Sequence, residues 1–244
     1  MKRLTGILFV FLVLFSQFTF LLNIVPFIPL VHADVTWDLL IQPWDNVTGW
    51  TKGGTGTSEI SPAGQLHHLS GLAGTEAYRY RDIGTLPDDY TAEFLMVVDS
   101  YGSDGTGYIG TQFYDGVHRY ELDIYSGKIK NLDSTTEISV TNTAGVWYVW
   151  RLVIDSSSHI MNAYRNGTSL GDLGGGANSA SVDGTIYVAD VYSPTASGVE
   201  IHQDYLYVAT GLYAPATDTT KPTYTLPSPS HNTTLASRPC NFQC

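Results

Sequence analysis

The chain has 244 residues, with 12 basic and 23 acidic side chains and a formal charge of −11 at neutral pH. That excess of acid argues against nucleic acid and against anionic membrane surfaces as partners, since both carry charge of the same sign. Only 14% of residues are charged while Tyr (16) and Gly (24) are plentiful, a balance used by exposed β-sheet faces joined through tight turns.

The first 33 residues read as a secretory signal. Lys2 and Arg3 form a positive start, Ile7 to Leu22 is almost unbroken apolar sequence, and Val31-His32-Ala33 offers small residues at a cleavage site before Asp34. Cleavage there predicts a secreted protein or one on the extracellular cell surface. Left uncleaved, the segment would be the chain's one route into a membrane, although Asn23, Pro26 and Pro29 interrupt it.

From Asp34 to Tyr213 no window shows an apolar face at helical spacing, while strand and turn signals are dense. Strands are predicted near residues 35–41, 58–61, 65–70, 76–83, 90–98, 107–114, 117–125, 128–131, 137–141, 146–154, 160–165, 185–192 and 199–208. Gly145 to Asp155 is the plainest of these, holding Val146, Trp147, Tyr148, Val149, Trp150, Leu152, Val153 and Ile154. Asp155 to Ser158 is a turn by composition, and the next run closes on Asn166-Gly167, a hairpin-turn pair. Asp115-Gly116 predicts a second hairpin, and Gly174-Gly-Gly176 a flexible turn. Trp147 and Trp150 fall on opposite strand faces, and Trp150 is placed in the core with Leu152 and Ile154. About a dozen short strands without helix predict an all-β fold, an antiparallel two-sheet jelly-roll sandwich of one domain over residues 34–213.

After that domain, residues 214–222 are rich in Pro and Thr and read as a linker. Residues 223–244 resemble the opening of an immunoglobulin-like module, and Asp218-Thr-Thr-Lys-Pro-Thr223 is similar to the junctions that introduce such modules. The expectation is a truncated start of such a domain, since so short a stretch buries no core of its own. Cys240 and Cys244 both lie there; on an extended strand their Cα atoms would stand about 13 Å apart, too far to bridge.

The aromatic strand, tight turn and Tyr-Arg-Asn-Gly ending at 164–167 resemble the concanavalin A-like lectin and glucanase superfamily, laminin G-like jelly rolls included. Trp44-Asp-Asn-Val-Thr-Gly-Trp50, Gly53-Gly-Thr-Gly56 and Gly64 to Gly71 are similar to its first hairpins, and Gly198 to Val208 to its closing strand. The resemblance covers roughly residues 36 to 213 and implies a sugar-type binding sandwich.

Three candidate sites follow. Glu121-Leu-Asp123-Ile-Tyr125-Ser126 resembles the catalytic strand of the laminarinase-like branch, whose Glu-x-Asp-x-(x)-Glu pattern carries a nucleophile and an acid/base. Here Tyr125 or Ser126 stands where the second Glu belongs, so Glu121 and Asp123 are expected as solvated carboxylates beside Arg119 and Lys128. Asp99 and Asp104 bracket a glycine-containing loop that could offer calcium two carboxylates, well short of the six to eight oxygens, roughly, that calcium takes. Tyr108, Gln112 and Tyr114 share one side of their strand, and Arg119, Glu121, Asp123 and Tyr125 one side of the next. Rings that stack on sugars beside groups that hydrogen-bond hydroxyls make a carbohydrate site.

No Ser-His-Asp grouping, metalloprotease motif or phosphate loop occurs. His67 and His68 point to opposite strand faces. Asn46, Asn166 and Asn232 each open an Asn-x-Thr acceptor for glycosylation. The sequence therefore predicts an exported, non-catalytic carbohydrate-binding or adhesion module of a multidomain cell-surface protein, with a glycan or a surface protein as partner. The alternatives are a laminarinase-like glycoside hydrolase and an architectural spacer. The sequence signals no cofactor with certainty, and calcium is the candidate.

Overall fold

The computed structural model describes residues 35–131, 136–178, 183–193, 195 and 198–215. The expected signal segment, nearly all of the linker, the immunoglobulin-like start, both cysteines and Asn232 lie outside these residues. The chain divides into residues 1–34 and 35–244, and everything described belongs to the second unit.

All described secondary structure is strand, and every pairing is antiparallel. In chain order the strands are β1 (Leu40–Gln42), β2 (Thr51–Gly54), β3 (Thr57–Ile60), β4 (Leu66–Leu69), β5 (Glu76–Asp82), β6 (Asp89–Tyr101), β7 (Tyr108–Tyr114) and β8 (His118–Ile124). Then come β9 (Lys128–Lys130), β10 (Glu137–Ser139), β11 (Trp147–Asp155), β12 (Ile160–Arg165), β13 (Thr168–Asp172), β14 (Ala177–Asn178), β15 (Thr185–Tyr192) and β16 (Val199–Thr210). The first sheet runs β13-β12-β11-β6-β16-β4-β3 with β1 on β16, and the second β10-β9-β8-β7-β15-β5-β2 with β14 on β8. This is an all-β, two-sheet antiparallel sandwich of jelly-roll type.

The core between the sheets follows from alternation. Tyr90, Ala92, Phe94, Met96 and Val98 of β6 point inward with Trp150, Leu152 and Ile154 of β11, against Ile109, Phe113, Tyr120, Leu122 and Ile124 of the second sheet. Trp150 is buried as expected, and Trp147 faces the other way and stays partly exposed. The hairpins at Asp115-Gly116 and Asn166-Gly167 both form. At the second, Asn166 (φ 50°) and Gly167 (φ 77°) both take the left-handed conformations that a two-residue hairpin loop needs.

The alternation fails where both faces are buried. Glu93 of β6 points away from the core yet is buried, with Arg151 Nε donating to it at 2.8 Å and Tyr205 Oη at 3.1 Å. Arg151 also donates to the Tyr213 carbonyl and stacks on Trp37, so segments flanking β1 and β16 cover that side of the first sheet.

Three expectations are corrected. The first strand starts at Leu40, not Val35. Strands β2, β13 and β14 occur where none was expected, because glycine-rich runs carry little strand signal. Gly174-Gly-Gly176 is not a free turn: a Cβ at Gly176 would lie 2.2 Å from the Arg119 carbonyl oxygen and one at Gly175 2.5 Å from His159 Cβ, so glycine is needed for close passage beside β8.

Candidate functional site

The second sheet turns its other face away from the core. On β7 that face carries Tyr108, Gly110, Gln112 and Tyr114, and on β8 Arg119, Glu121 and Asp123 with Tyr125 just beyond. Register sets Tyr114 opposite Arg119, Gln112 opposite Glu121 and Gly110 opposite Asp123. All seven residues expected of a sugar site therefore share one patch.

The patch is not the solvated surface that was expected for Glu121 and Asp123. Their exposures are 2% and 0%. Gln112 Nε2 donates to Glu121 Oε1 at 3.0 Å, Tyr114 Oη donates to Gln112 Oε1 at 2.8 Å, and Arg119 Nε lies 3.7 Å from Glu121 Oε2. Apart from Glu121, the Asp123 carboxyl has no hydrogen-bond partner among the described residues. Burial first, and then the neighbouring Glu121, push the Asp123 carboxyl far above the ordinary carboxylate range. Tyr108 and Tyr125 lie near both carboxyls, and how closely the face packs around them is not visible in a strand-by-strand reading.

Further tyrosines on this face come from β5 and β15. Tyr80 and Tyr187 stack with ring centroids 5.3 Å apart; Tyr78 and Tyr114 meet Tyr187 at 5.6 and 5.5 Å. On the other side Tyr108 lies 5.1 Å from Tyr125 and 5.6 Å from Tyr192. Lys128 and Lys130 rest over the Tyr125 ring. Two groups of tyrosines thus flank a polar centre.

A third carboxyl enters that centre by way of a bulge. Pairing of β15 slips between Tyr187 and Asp190 against β7, and between Val188 and Val191 against β5. Val188 and Ala189 both face the core, and Ala189 takes φ 50°. Strict alternation from Tyr187 would have turned Asp190 inward and Val191 outward; the extra residue reverses both. The bulged peptide is held from within. Its carbonyl accepts from Nδ1 of the fully buried His68 at 2.7 Å, and its N–H donates to Thr111 Oγ1 at 3.4 Å. Burial drives the His68 pKa down to about 3, so the ring is neutral, and the carbonyl acceptor places its proton on Nδ1.

Gly110 forms the floor. A Cβ there would lie 3.0 Å from Glu121 Oε1, 3.2 Å from Asp123 Oδ1 and 3.9 Å from Asp190 Cβ. The three acidic side chains close in on Gly110, where even a methyl group would be crowded. Burial, then Glu76 and Glu121, raise the Asp190 carboxyl to about 8, and its Oδ1 has no partner among the described residues. A patch of this kind can donate and accept hydrogen bonds at neutral pH and can stack flat apolar faces.

The other expected residues go elsewhere. Asp99 pairs with His202 at 2.6 Å on the first sheet, and Asp104 accepts from Thr106 and Thr195 in its loop. Among the described residues no group of three or more His, Cys, Asp or Glu side chains is arranged for a metal ion. His67 stacks on His202, on the opposite side of β4 from His68, as expected. Asn46 and Asn166 are exposed at turns.

No family model matches the chain, and no curated protein matches it. Among solved structures it is similar to botulinum neurotoxin binding regions. One, from a type C toxin whose route into cells is dependent upon interaction with two ganglioside molecules, shows a TM-score of 0.50 at 12% identity, over 71% of this chain and 48% of that one. The serotype C1 binding domain gives a TM-score of 0.49 at 12% identity, over 72% and 48%. The chain spans about half the length of these solved structures. At such identity the likeness concerns the sandwich fold and carries no ligand with it.

Proposed function

We propose that the chain is an exported, non-catalytic module that binds carbohydrate on the outer face of its second sheet, within the concanavalin A-like class that its sequence resembles. One observation carries the reading: two groups of tyrosines flank a polar centre of Glu121, Asp123, Asp190 and Gln112 on a single sheet face. Rings take the apolar faces of pyranoses and the polar centre takes their hydroxyls. The ganglioside dependence of the type C toxin that shares the fold is in keeping with it. A glycan array probed with the full chain tests the reading. Binding should be lost in Tyr187→Ala and Gln112→Ala and kept in His202→Ala on the other sheet; an array without signal, or equal binding by all three variants, overturns it.

A second reading, glycoside hydrolysis, is favoured by the position of Asp190. The strand itself lacks the acid/base carboxyl, and β15 brings one beside the same Gly110 floor with its proton retained to about pH 8. Glu121 would attack the anomeric carbon while Asp190 protonated the leaving oxygen. A reducing-sugar assay over β-glucans separates the two. The binding reading expects no turnover; turnover abolished by both Glu121→Gln and Asp190→Asn would establish the hydrolase.

A further inference from the structure

Charge is divided unevenly between the two sheets. The strands of the first carry eight acidic and two basic side chains. Those of the second carry six of each, and two of its acids, Asp123 and Asp190, keep their protons at neutral pH. Half of the second sheet's basic residues gather at one edge. β5 pairs Arg79 with Val188 and Arg81 with Ile186, both core residues of β15, so the two arginines lie on the side of β5 away from Tyr78 and Tyr80. β2 ends the sheet and sets Lys52 directly opposite Arg79. Lys52 is exposed, Arg81 half-buried and Arg79 only 8% exposed. None of the three forms an ion pair with an acid among the described residues.

Such an arrangement is costly by itself. Like charges directly opposite on a strand pair repel, and a cation taken out of water needs a counter-charge. Arg79 spans the gap between the sheets: its Nη2 donates at 2.9 Å to the carbonyl of Ser58 on β3, the last strand of the first sheet. Its Nε has no partner among the described residues. Arg79 and Lys52 both act on His68 further in and help to keep it neutral. Arg81 stands diagonal to Lys52, a Cα separation of about 7–8 Å that long side chains close.

We propose that this edge binds a tetrahedral oxyanion, a sulfate or phosphate group, held by Lys52 and Arg81 with the fixed charge of Arg79 behind them. A carboxylate presents two oxygens in one plane, whereas cations converging from two strands are met by oxygens on several sides. The site is separate from the tyrosine face and does not depend on the carbohydrate reading.

The test is the melting temperature of the full chain in about 20 mM sodium sulfate, against sodium chloride and sodium acetate at equal ionic strength. Sulfate should raise it by at least about 3 °C over chloride, and acetate by less than half as much. Lys52→Gln should melt at or above the wild type in chloride, where a repulsion has gone, and below it in sulfate. Glucose 6-sulfate, with glucose as control, separates the sources: a rise equal to that in sulfate shows that the group is taken when carried on a larger ligand, and a rise in sulfate alone assigns the site to the free ion. Three results overturn the inference. The first is no rise in sulfate, or a rise of the same size in Lys52→Gln and Arg81→Gln, which is the general effect of that salt on folded proteins. The second is acetate matching sulfate. The third is a Lys52→Gln that already melts below the wild type in chloride, which would mean that Lys52 has its partner within the protein.

Discussion

Replacing Asp190 by Asn should stabilise the protein, and by an amount that grows with pH. Asp190 keeps its proton in the folded state up to about 8, where the unfolded chain releases it near the ordinary carboxylate value of about 3.9. Between those limits the folded state holds a proton that the unfolded state has lost, so stability falls as pH rises. The favourable contribution is complete below about pH 4 and gone above about pH 8. Each pH step in between is worth at most about 1.4 kcal/mol, or about 2–3 kcal/mol from pH 5 to pH 7, with partial exposure of Asp190 setting the lower side. Asparagine is nearly isosteric and cannot ionise. Asp190→Asn should match the wild type near pH 4 and exceed it by about 2–3 kcal/mol at pH 7. Removing Asp190 also lifts one of the charges that raise Asp123, which acts in the same direction. Urea unfolding of both proteins at four pH values reads the difference directly. A difference that stays constant with pH would mean that Asp190 ionises as an ordinary surface acid and that the proton-holding centre does not exist.

Other residues give sharper tests of the frame. Trp150→Ala should cost roughly 3–5 kcal/mol in a denaturant melt, since the side chain is fully buried between the sheets; a loss under about 1 kcal/mol would refute its packing. Glu93→Ala should cost about 3–5 kcal/mol by leaving Arg151 buried without its carboxylate, and an unchanged melting temperature would show the pair to be solvated. His68 acts on the acid side. Its folded pKa lies near 3, below the unfolded value of 6.5, so its stabilising share is complete above about pH 6.5 and is lost as pH falls toward 3. His68→Phe should flatten that limb of the stability profile while losing the bond to the Ala189 carbonyl, and an acid limb of unchanged steepness would place a charged ring there.

The frame was legible because its strands obey simple rules. Val146 to Asp155 is β-branched and aromatic, Asn166-Gly167 and Asp115-Gly116 have the residues that tight hairpins require, and the period of two put Tyr108, Gln112, Glu121 and Asp123 together before any coordinates. What escaped was the third dimension of the patch. Whether Glu121 and Asp123 are wet depends on what the neighbouring strands set around them, and the order β8-β7-β15-β5 is not written in any one strand. Asp190 escaped because the period of two puts it inside. A signal was available in Tyr187 and Tyr192: five positions apart, they share a face only if one residue between them is extra. The short strands β2 and β13 escaped because their glycines hide strand propensity.

The bulge also explains why the site is built across the sandwich and not on its surface alone. Ala189 holds a left-handed conformation that a non-glycine residue adopts at a cost of about 1–3 kcal/mol, and its methyl is fully buried. Glycine would relieve the strain but leave the core short of that methyl, so alanine serves the packing and the neutral His68 of the opposite sheet secures the peptide. The raised carboxyls of Asp123 and Asp190 then add a second cost at neutral pH. A face that only separated neighbouring domains would gain nothing from two buried carboxyls and a partly buried third, a strained alanine and a core histidine committed to it. Costs that gather at one patch are expected at a functional site, where the rules of stable folding give way.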